Sequence, residues 1–349
     1  MPRTVIWGAG AMGGSIGAWL IRANEDVLLV DSDAAHAAAI SEHGLRITGP
    51  VDDFTVPAEC VGPEALRSGA LRTDAHDAHG PDVGLKTVLL AVKAHHTEAA
   101  IAVIEPLLAR DGCVVSVQNG LNERVIAERI GAARTVGCFV NFGADIVEPG
   151  VIMRGNRGTV VVGELDGTRS ARAESVHGLL QVFEPDAALT DNIWGYLWGK
   201  LAYGSMLFAT ALSDASIADV LDSARHRPLL IGLAREAMAV AAARGVRSEA
   251  FDGFDPVAFT PAATDADCEA SLDALVRFNR RSAKSHSGVW RDLAVRKRRT
   301  EVDAQIAPIA TLGADARVDV PLTRRLVELI HDVEQGRRVQ GWETLGALA

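Results

Sequence analysis

Residues 4–17, Thr-Val-Ile-Trp-Gly-Ala-Gly-Ala-Met-Gly-Gly-Ser-Ile-Gly, constrain the fold more than any other stretch of this chain. A short apolar run, residues 5–7, ends at Gly8. Gly10 and Gly13 complete a G-x-G-x-x-G, and an apolar series with helical spacing (Met12, Ile16, Trp19, Leu20) begins at once. The pattern reads as strand, tight turn and helix. Gly8 permits the turn, Gly10 lets the backbone approach a pyrophosphate, and Gly13 allows close helix–strand packing. The helix N-terminus adds free N–H groups and a partial positive charge. A second apolar run, residues 27–30, leads straight into Asp31. An acidic side chain there accepts hydrogen bonds from the adenosine ribose and repels a 2′-phosphate. A dinucleotide is therefore expected on Gly8, Gly10, Ala11, Met12, Gly13 and Asp31. NAD is favoured over NADP, because neither Ser32 nor Asp33 supplies an arginine.

At 349 residues the chain exceeds one ordinary core, so two domains are expected. A formal net charge of −10 argues against nucleic acid as a partner. Cys60, Cys113, Cys138 and Cys268 are scattered, with no CxxC and no metal spacing, and read as reduced structural thiols in a cytoplasmic protein. No apolar run reaches membrane length, and the first strand begins too early for a signal peptide to precede it.

Beyond Asp31, residues 33–40 read as helix and 44–48 as strand; residues 49–84 read as a strand-and-loop excursion at the sheet margin. The continuous apolar run 87–92 is a strand buried on both faces, delivering Lys93 at its C-terminal end, where ligands sit in open α/β sheets. Another buried strand, 113–117, ends at Gln118-Asn119-Gly120, with a helix from about Asn122. Strands are expected at 135–141, 151–154 and 159–163, and a helix at 171–183. This makes a doubly wound domain over residues 1–190. Residues 191–349 read as all-helical: a long amphipathic segment over 192–212, then helices at 217–221, 228–244, 267–281, 300–312 and 322–336. The expected fold class is thus an α/β Rossmann-type doubly wound N-terminal domain plus an all-α C-terminal domain, with an active site in the cleft between them.

Six stretches together resemble the ketopantoate reductase (2-dehydropantoate 2-reductase) family: G-A-G-A-M-G-G at 8–14, L-A-V-K-A at 90–94, Q-N-G-L-N at 118–122, I-W-G-Y-L-W-G-K-L-A at 193–202, T-E-V-D at 300–303 and V-D-V-P at 318–321. The resemblance implies reduction of a 2-oxo acid to a 2-hydroxy acid with a nicotinamide cofactor, NADPH in most members, and a homodimer formed through the helical domain. It implies that Lys200 is the catalytic lysine and that Glu301 binds the substrate's hydroxyl. It also places Lys93 and Asn119 near the cofactor and the reacting carbonyl. The chemistry suits Lys200: hydride arriving at a carbonyl carbon leaves charge on oxygen, which a nearby ammonium stabilises and protonates. The ordinary alternatives are a surface lysine at 200, a first-turn helix charge at 301, a solvated strand end at 93 and a turn residue at 119.

The chain departs from the family pattern in its substrate pocket. Gly204 stands where family members place an asparagine one turn after the lysine, and a second family asparagine falls near Phe208. The serine expected upstream of Thr300-Glu301 has no clear counterpart in the stretch 284–299, where His286, Ser287 or Arg291 is a candidate replacement. Their ordinary reading is a helix cap in a solvated basic segment. Substrate binding is accordingly assigned to Lys93, Asn119, Lys200, Gly204, His286, Ser287 and Glu301, with a bulkier or more apolar 2-oxo acid than ketopantoate expected. His95 and His96 point apart at a helix start and predict no metal site. The basic run 296–299 has no interleaved aromatics and reads as a solvated face or a patch for an acidic substrate. Two other readings stay open: a dehydrogenase of 3-hydroxy or imino acids on the same fold, and a dinucleotide sensor without chemistry.

Overall fold

The computed structural model describes residues 3–67, 84–281 and 285–349. Part of the expected 49–84 excursion (68–83) and Lys284 of the 284–299 stretch lie outside the described residues. The chain divides into two compact units, Met1–Ile193 and Trp194–Ala349.

In the first unit the chain runs β1 (Thr4–Trp7), α1 (Ala11–Arg22), β2 (Val27–Val30), α2 (Ala34–His43), β3 (Leu45–Thr48), β4 (Phe54–Val56), β5 (Cys60–Val61) and α3 (Pro63–Arg67). It continues through β6 (Leu85–Leu90), α4 (Thr97–Ile104), β7 (Leu108–Ser116), α5 (Asn122–Ile130) and β8 (Thr135–Val140). The unit ends with β9 (Gly143–Glu148), β10 (Val151–Asn156), β11 (Val160–Glu164), α6 (Ala171–Phe183) and β12 (Ala188–Leu189). The main sheet has the order β12-β11-β8-β7-β6-β1-β2-β5, parallel throughout except where β11 meets β8. Alternate residues of its strands feed two separate cores. Ile6, Leu29, Leu89 and Val115 pack under α1, α2 and α6, and Val5, Leu28, Val88 and Val114 under α4 and α5. Helices on both faces explain why the strands read as continuous apolar runs.

Two features escaped the sequence reading. The expected strand at 44–48 does not join the main sheet. It pairs with β4 and β10 in a second, four-stranded sheet of order β4-β3-β10-β9, whose outer strand, Gly143–Glu148, was not anticipated. That strand is partly to fully exposed along its whole length, so it lacks the buried alternation that marks a strand in sequence.

In the second unit the described residues form α7 (Ile193–Thr210, starting on the last residue of the first unit), α8 (Ile217–Asp222), α9 (Arg227–Ala243), α10 (Asp265–Arg281) and α11 (Gly288–Ala294). Then come α12 (Val302–Gln305), α13 (Ala307–Ala316), α14 (Pro321–Glu334) and α15 (Trp342–Gly346). The single helix expected over 300–312 is in fact two. Pro308 sits at the start of α13, where its missing N–H costs nothing, and in a continuous helix it would interrupt the ladder. Thr300 lies outside both helices, with its N–H and hydroxyl held by the Glu334 carboxylate at 2.6 and 2.7 Å. No helix among the described residues is long and apolar enough to cross a membrane.

Candidate functional site

The glycine-rich turn has the geometry that its spacing demands. Gly8 has φ +102°, and a Cβ there would meet the Ala91–Val92 backbone at 2.8 Å. A Cβ at Gly13 would lie 2.1 Å from the Gly8 carbonyl oxygen, so only glycine lets α1 come this close to β1. A Cβ at Gly10, by contrast, would meet only Ile146 Cδ1, at 3.9 Å. The first and third glycines are therefore needed by the protein itself, while the second leaves room for a ligand against the backbone. Ala11 and Met12 open α1, a helix of twelve residues with no acidic residue in its first turn and no side-chain cap. Its first N–H groups fit an anionic pyrophosphate.

Asp31 follows β2 directly and is half-buried; its Oδ1 accepts the Asp33 N–H at 2.9 Å. Asp33 in turn caps α2, accepting the N–H groups of Ala35 and His36 at 3.0 and 3.1 Å. His36, which the sequence reading passed over, is 2% exposed and touches two distant backbone groups. Its Nε2 lies 3.0 Å from the Ala9 carbonyl oxygen, and its Nδ1 lies 3.1 Å from the Gly150 N–H nitrogen.

At the C-terminal ends of β6 and β7, Lys93 is half-buried and precedes a 3-10 turn, Ala94–His96; Asn119 is exposed, just before Gly120 at φ +100°. A buried polar chain rivets these two turns together. Gln118 Nε2 donates to the Val92 carbonyl and to Thr97 Oγ1 at 2.9 and 2.8 Å, Thr97 Oγ1 lies 3.1 Å from Asn122 Oδ1, and Asn122 Nδ2 donates to the Asn119 carbonyl at 2.7 Å. Gln118 and Asn122 thus hold the turns, a role visible only once both strand ends are side by side. Beneath them Glu123 is fully buried. Desolvation pushes its pKa up to about 8, against weaker pulls from its own N–H and the Ser116 hydroxyl, and neither carboxyl oxygen has a partner of normal hydrogen-bond geometry. His95 and His96 are exposed, their rings 4.1 Å apart.

In the helical unit, α7 is mostly buried, with one half-buried stripe and, away from it, a half-buried Trp194 near the start. Tyr196, Lys200, Tyr203, Gly204 and Leu207 are half-buried at spacings of four, three, one and three, while Leu197, Trp198, Leu201, Ala202, Met206 and Phe208 are buried. Lys200 thus stands on a partly open face of a largely buried helix. A Cβ at Gly204 would meet nothing within 4 Å. Phe208, near the second family asparagine position, is 2% exposed and belongs to the core. Tyr203 adds a residue the motifs did not flag. Burial raises its phenol pKa against a hydrogen bond from Asn279, and its ring packs 5.3 Å from Phe254.

Glu301 is half-buried and takes the N-cap position of α12. Its carbonyl accepts the Ala304 and Gln305 N–H groups, while its side chain does not cap the helix. Ser287 is committed locally: its hydroxyl caps α11 by accepting the Trp290 N–H at 3.1 Å. His286 contacts Ser285 Oγ and the Asp214 carbonyl at 2.9 and 3.3 Å and packs on Trp290. Three residues of the basic run 296–299 are paired nearby, Arg296 and Arg298 on Asp292 and Arg299 on Asp303.

The sequence matches two family signatures, "Ketopantoate reductase PanE/ApbA" over residues 4–167 and "Ketopantoate reductase PanE/ApbA C terminal" over residues 192–334. A 2-dehydropantoate 2-reductase of Mesorhizobium japonicum is 29% identical over 271 residues, which are 70% of this chain and 77% of that protein. Among solved structures, a D-mandelate dehydrogenase with NADH and anilino(oxo)acetate shares the fold with a TM-score of 0.78 at 23% identity, covering 96% of this chain and 99% of that one. The 2-dehydropantoate 2-reductase of Geobacter metallireducens gives 0.77 at 23% identity, covering 96% and 100%. The two signatures follow one another over most of the sequence and contain all six motifs, with the glycine turn in the first and the lysine helix in the second; the chain belongs to the ketopantoate reductase family.

Proposed function

We propose that this protein is an NAD(P)H-dependent reductase that converts a 2-oxo acid to the 2-hydroxy acid, with the dinucleotide held by residues 1–190 and the substrate by residues 191–349. The bound nicotinamide supplies a hydride to the carbonyl carbon. Lys200 Nζ then gives its proton to the carbonyl oxygen, and Glu301 orients the substrate's hydroxyl group. Lys93 and Asn119 bind near the reacting carbonyl, and His286 and Ser287 flank the substrate's carboxylate; because the Ser287 hydroxyl caps a helix, its part falls to the orientation of the segment. The observation that carries this reading is the placement of Lys200 on the half-open stripe of a largely buried helix. A half-buried lysine there is neither sealed in the core nor fully solvated, which suits a proton donor to a bound ligand.

The test is turnover across a panel of 2-oxo, 3-hydroxy and imino acids with NADH and NADPH. Lys200→Ala is expected to lower kcat by about 100-fold or more on the best 2-oxo acid, the range for loss of a positioned acid, with NADH affinity unchanged. Normal turnover in that variant removes Lys200 from the mechanism. Tight nucleotide binding with no turnover of any compound supports a sensor instead.

Two finer points belong to the same reading. Gly204 replaces an amide with open space and Phe208 replaces a second with core, so the pocket favours a side chain larger and less polar than that of ketopantoate. The same fold binds an anilino(oxo)acetate together with NADH in D-mandelate dehydrogenase. Asp31 at the end of β2, with no arginine at 32–35, favours NADH over NADPH, by about tenfold if repulsion of the 2′-phosphate amounts to ~1.4 kcal/mol. The working form is taken to be a cytoplasmic homodimer. The four buried free thiols support a reducing compartment, and light scattering in solution measures the dimer.

A further inference from the structure

We propose that His36 is a positioning residue for the dinucleotide: its imidazole locks the Ala9–Gly10 peptide plane and couples the ribose-binding end of the site to the pyrophosphate-binding end. This rests on the dinucleotide-binding reading above.

The Gly150 N–H is a donor, so the Nδ1 that faces it at 3.1 Å accepts. The ring proton is therefore on Nε2, which donates to the Ala9 carbonyl at 3.0 Å. That carbonyl belongs to a fully buried residue, and its oxygen lies 2.5 Å from where a Gly14 Cβ would stand, so α1 packs closely against it. Across a trans peptide the C=O and the following N–H point in opposite directions. Fixing the Ala9 oxygen against His36 thus fixes the direction of the Gly10 N–H at the mouth of α1. A peptide with glycine on its C-terminal side turns easily, and the lock removes that freedom before a ligand arrives.

The same ring is tied to the other end of the site. Asp31 holds the Asp33 N–H, Asp33 caps α2 on the N–H groups of Ala35 and His36, and His36 reaches back to Ala9. The acid assigned to the ribose and the turn assigned to the pyrophosphate are joined by one helical turn. Through Gly150, at φ +79° in the turn between β9 and β10, the lock also bears on the second sheet, whose Ile146 and Ile152 already face the start of α1 at Gly10 and Gly14.

Two substitutions separate the two arms. In His36→Gln an amide N–H occupies the Nε2 position and keeps the bond to Ala9. In His36→Asn an amide oxygen occupies the Nδ1 position and keeps the bond from Gly150 but does not reach Ala9. The expected result is a KM and Kd for NADH raised about tenfold in His36→Asn, the equivalent of one misdirected hydrogen-bond donor, with kcat unchanged, and largely restored in His36→Gln although both variants lose similar thermal stability. Equal nucleotide affinity in the two variants, or affinity that simply follows their stability, overturns the proposal. Independently of any variant, imidazole nitrogen chemical shifts in the wild-type protein are expected to report the neutral Nε2–H form; the Nδ1–H form or an imidazolium at neutral pH overturns it as well. Wild-type protein that binds neither NADH nor NADPH overturns the dinucleotide reading itself, an outcome distinct from a failure of the lock.

Discussion

A carboxyl group with no charge to answer it makes the pH dependence of this fold lopsided at Glu123. Its pKa stands at about 8 in the folded chain against about 4.5 unfolded, and burial is the main cause. The folded state therefore holds a proton that the unfolded state has lost. This contribution to stability is complete below pH 4.5 and disappears as pH rises through 8, at a slope of about 1.4 kcal/mol per pH unit between the two values. Glu123→Gln, isosteric with the neutral acid, is expected to match the wild type near pH 5 and to be the more stable protein at pH 8; urea midpoints across that range test it. Gly204 offers a second residue-level test. A methyl group there meets no neighbour, so Gly204→Ala gains about 0.5–1 kcal/mol of helix stability. On the proposed function, it also lowers turnover of the bulkiest 2-oxo acids relative to small ones. The family motif around residue 200 was legible in the sequence because it lies within ten contiguous residues. His36 was not, because its partners are 27 and 114 residues away and an alanine-rich helix gives no sign of them.

Among the elements, α6 and the second sheet are joined by a buried ion pair that the sequence conceals. Arg154 on β10 has a side chain 2% exposed, and its guanidinium lies 4.0, 4.6 and 5.4 Å from the rings of Phe183, Trp19 and Phe142. Glu184, just past α6, accepts from it at 2.9 Å and also pairs with Arg157. Burial lowers the Arg154 pKa and the carboxylate opposes that shift. Removing only the anion leaves a charge in an aromatic cage, so Glu184→Ala is expected to cost about 3–5 kcal/mol in equilibrium unfolding. The double variant Arg154→Met/Glu184→Leu recovers most of that loss, because neither charge then remains. Helix α14 is held in a comparable way from outside: the Glu236 carboxylate on α9 accepts the N–H groups of Leu322 and Thr323 and the Thr323 hydroxyl at 2.7–2.8 Å. Elements with one buried face were legible, residues 171–183 to the residue. Two others were missed: β9, whose exposure along its length removes the buried alternation, and the break at Ile306 ahead of Pro308 that sets Glu301 at the head of a four-residue helix.

For the whole molecule, the decisive property is that each compact unit has its own interior. The sheet unit buries two apolar clusters on either side of its strands, and the helical unit buries Trp198, Met206 and Phe208 of α7 with Leu230, Leu233, Phe254 and Phe259. Each unit is of a size that sustains a core of its own. The residues of the proposed function are divided: the glycine turn, Asp31, Lys93 and Asn119 belong to the first, and Lys200, Gly204 and Glu301 to the second. Such a division predicts that nucleotide binding and catalysis respond separately to perturbation. NADH at one hundred times its Kd is expected to stabilise the unit that binds it by about 2.7 kcal/mol. Calorimetry of the full chain should therefore show one transition moving with NADH and another staying in place, and amide exchange should slow at residues 8–14 and 31–36. Lys200→Ala should leave both responses intact while abolishing turnover. A single transition that moves as a whole, or protection in α7 as strong as that in α1 without substrate present, means that the units unfold together and that the nucleotide stabilises both.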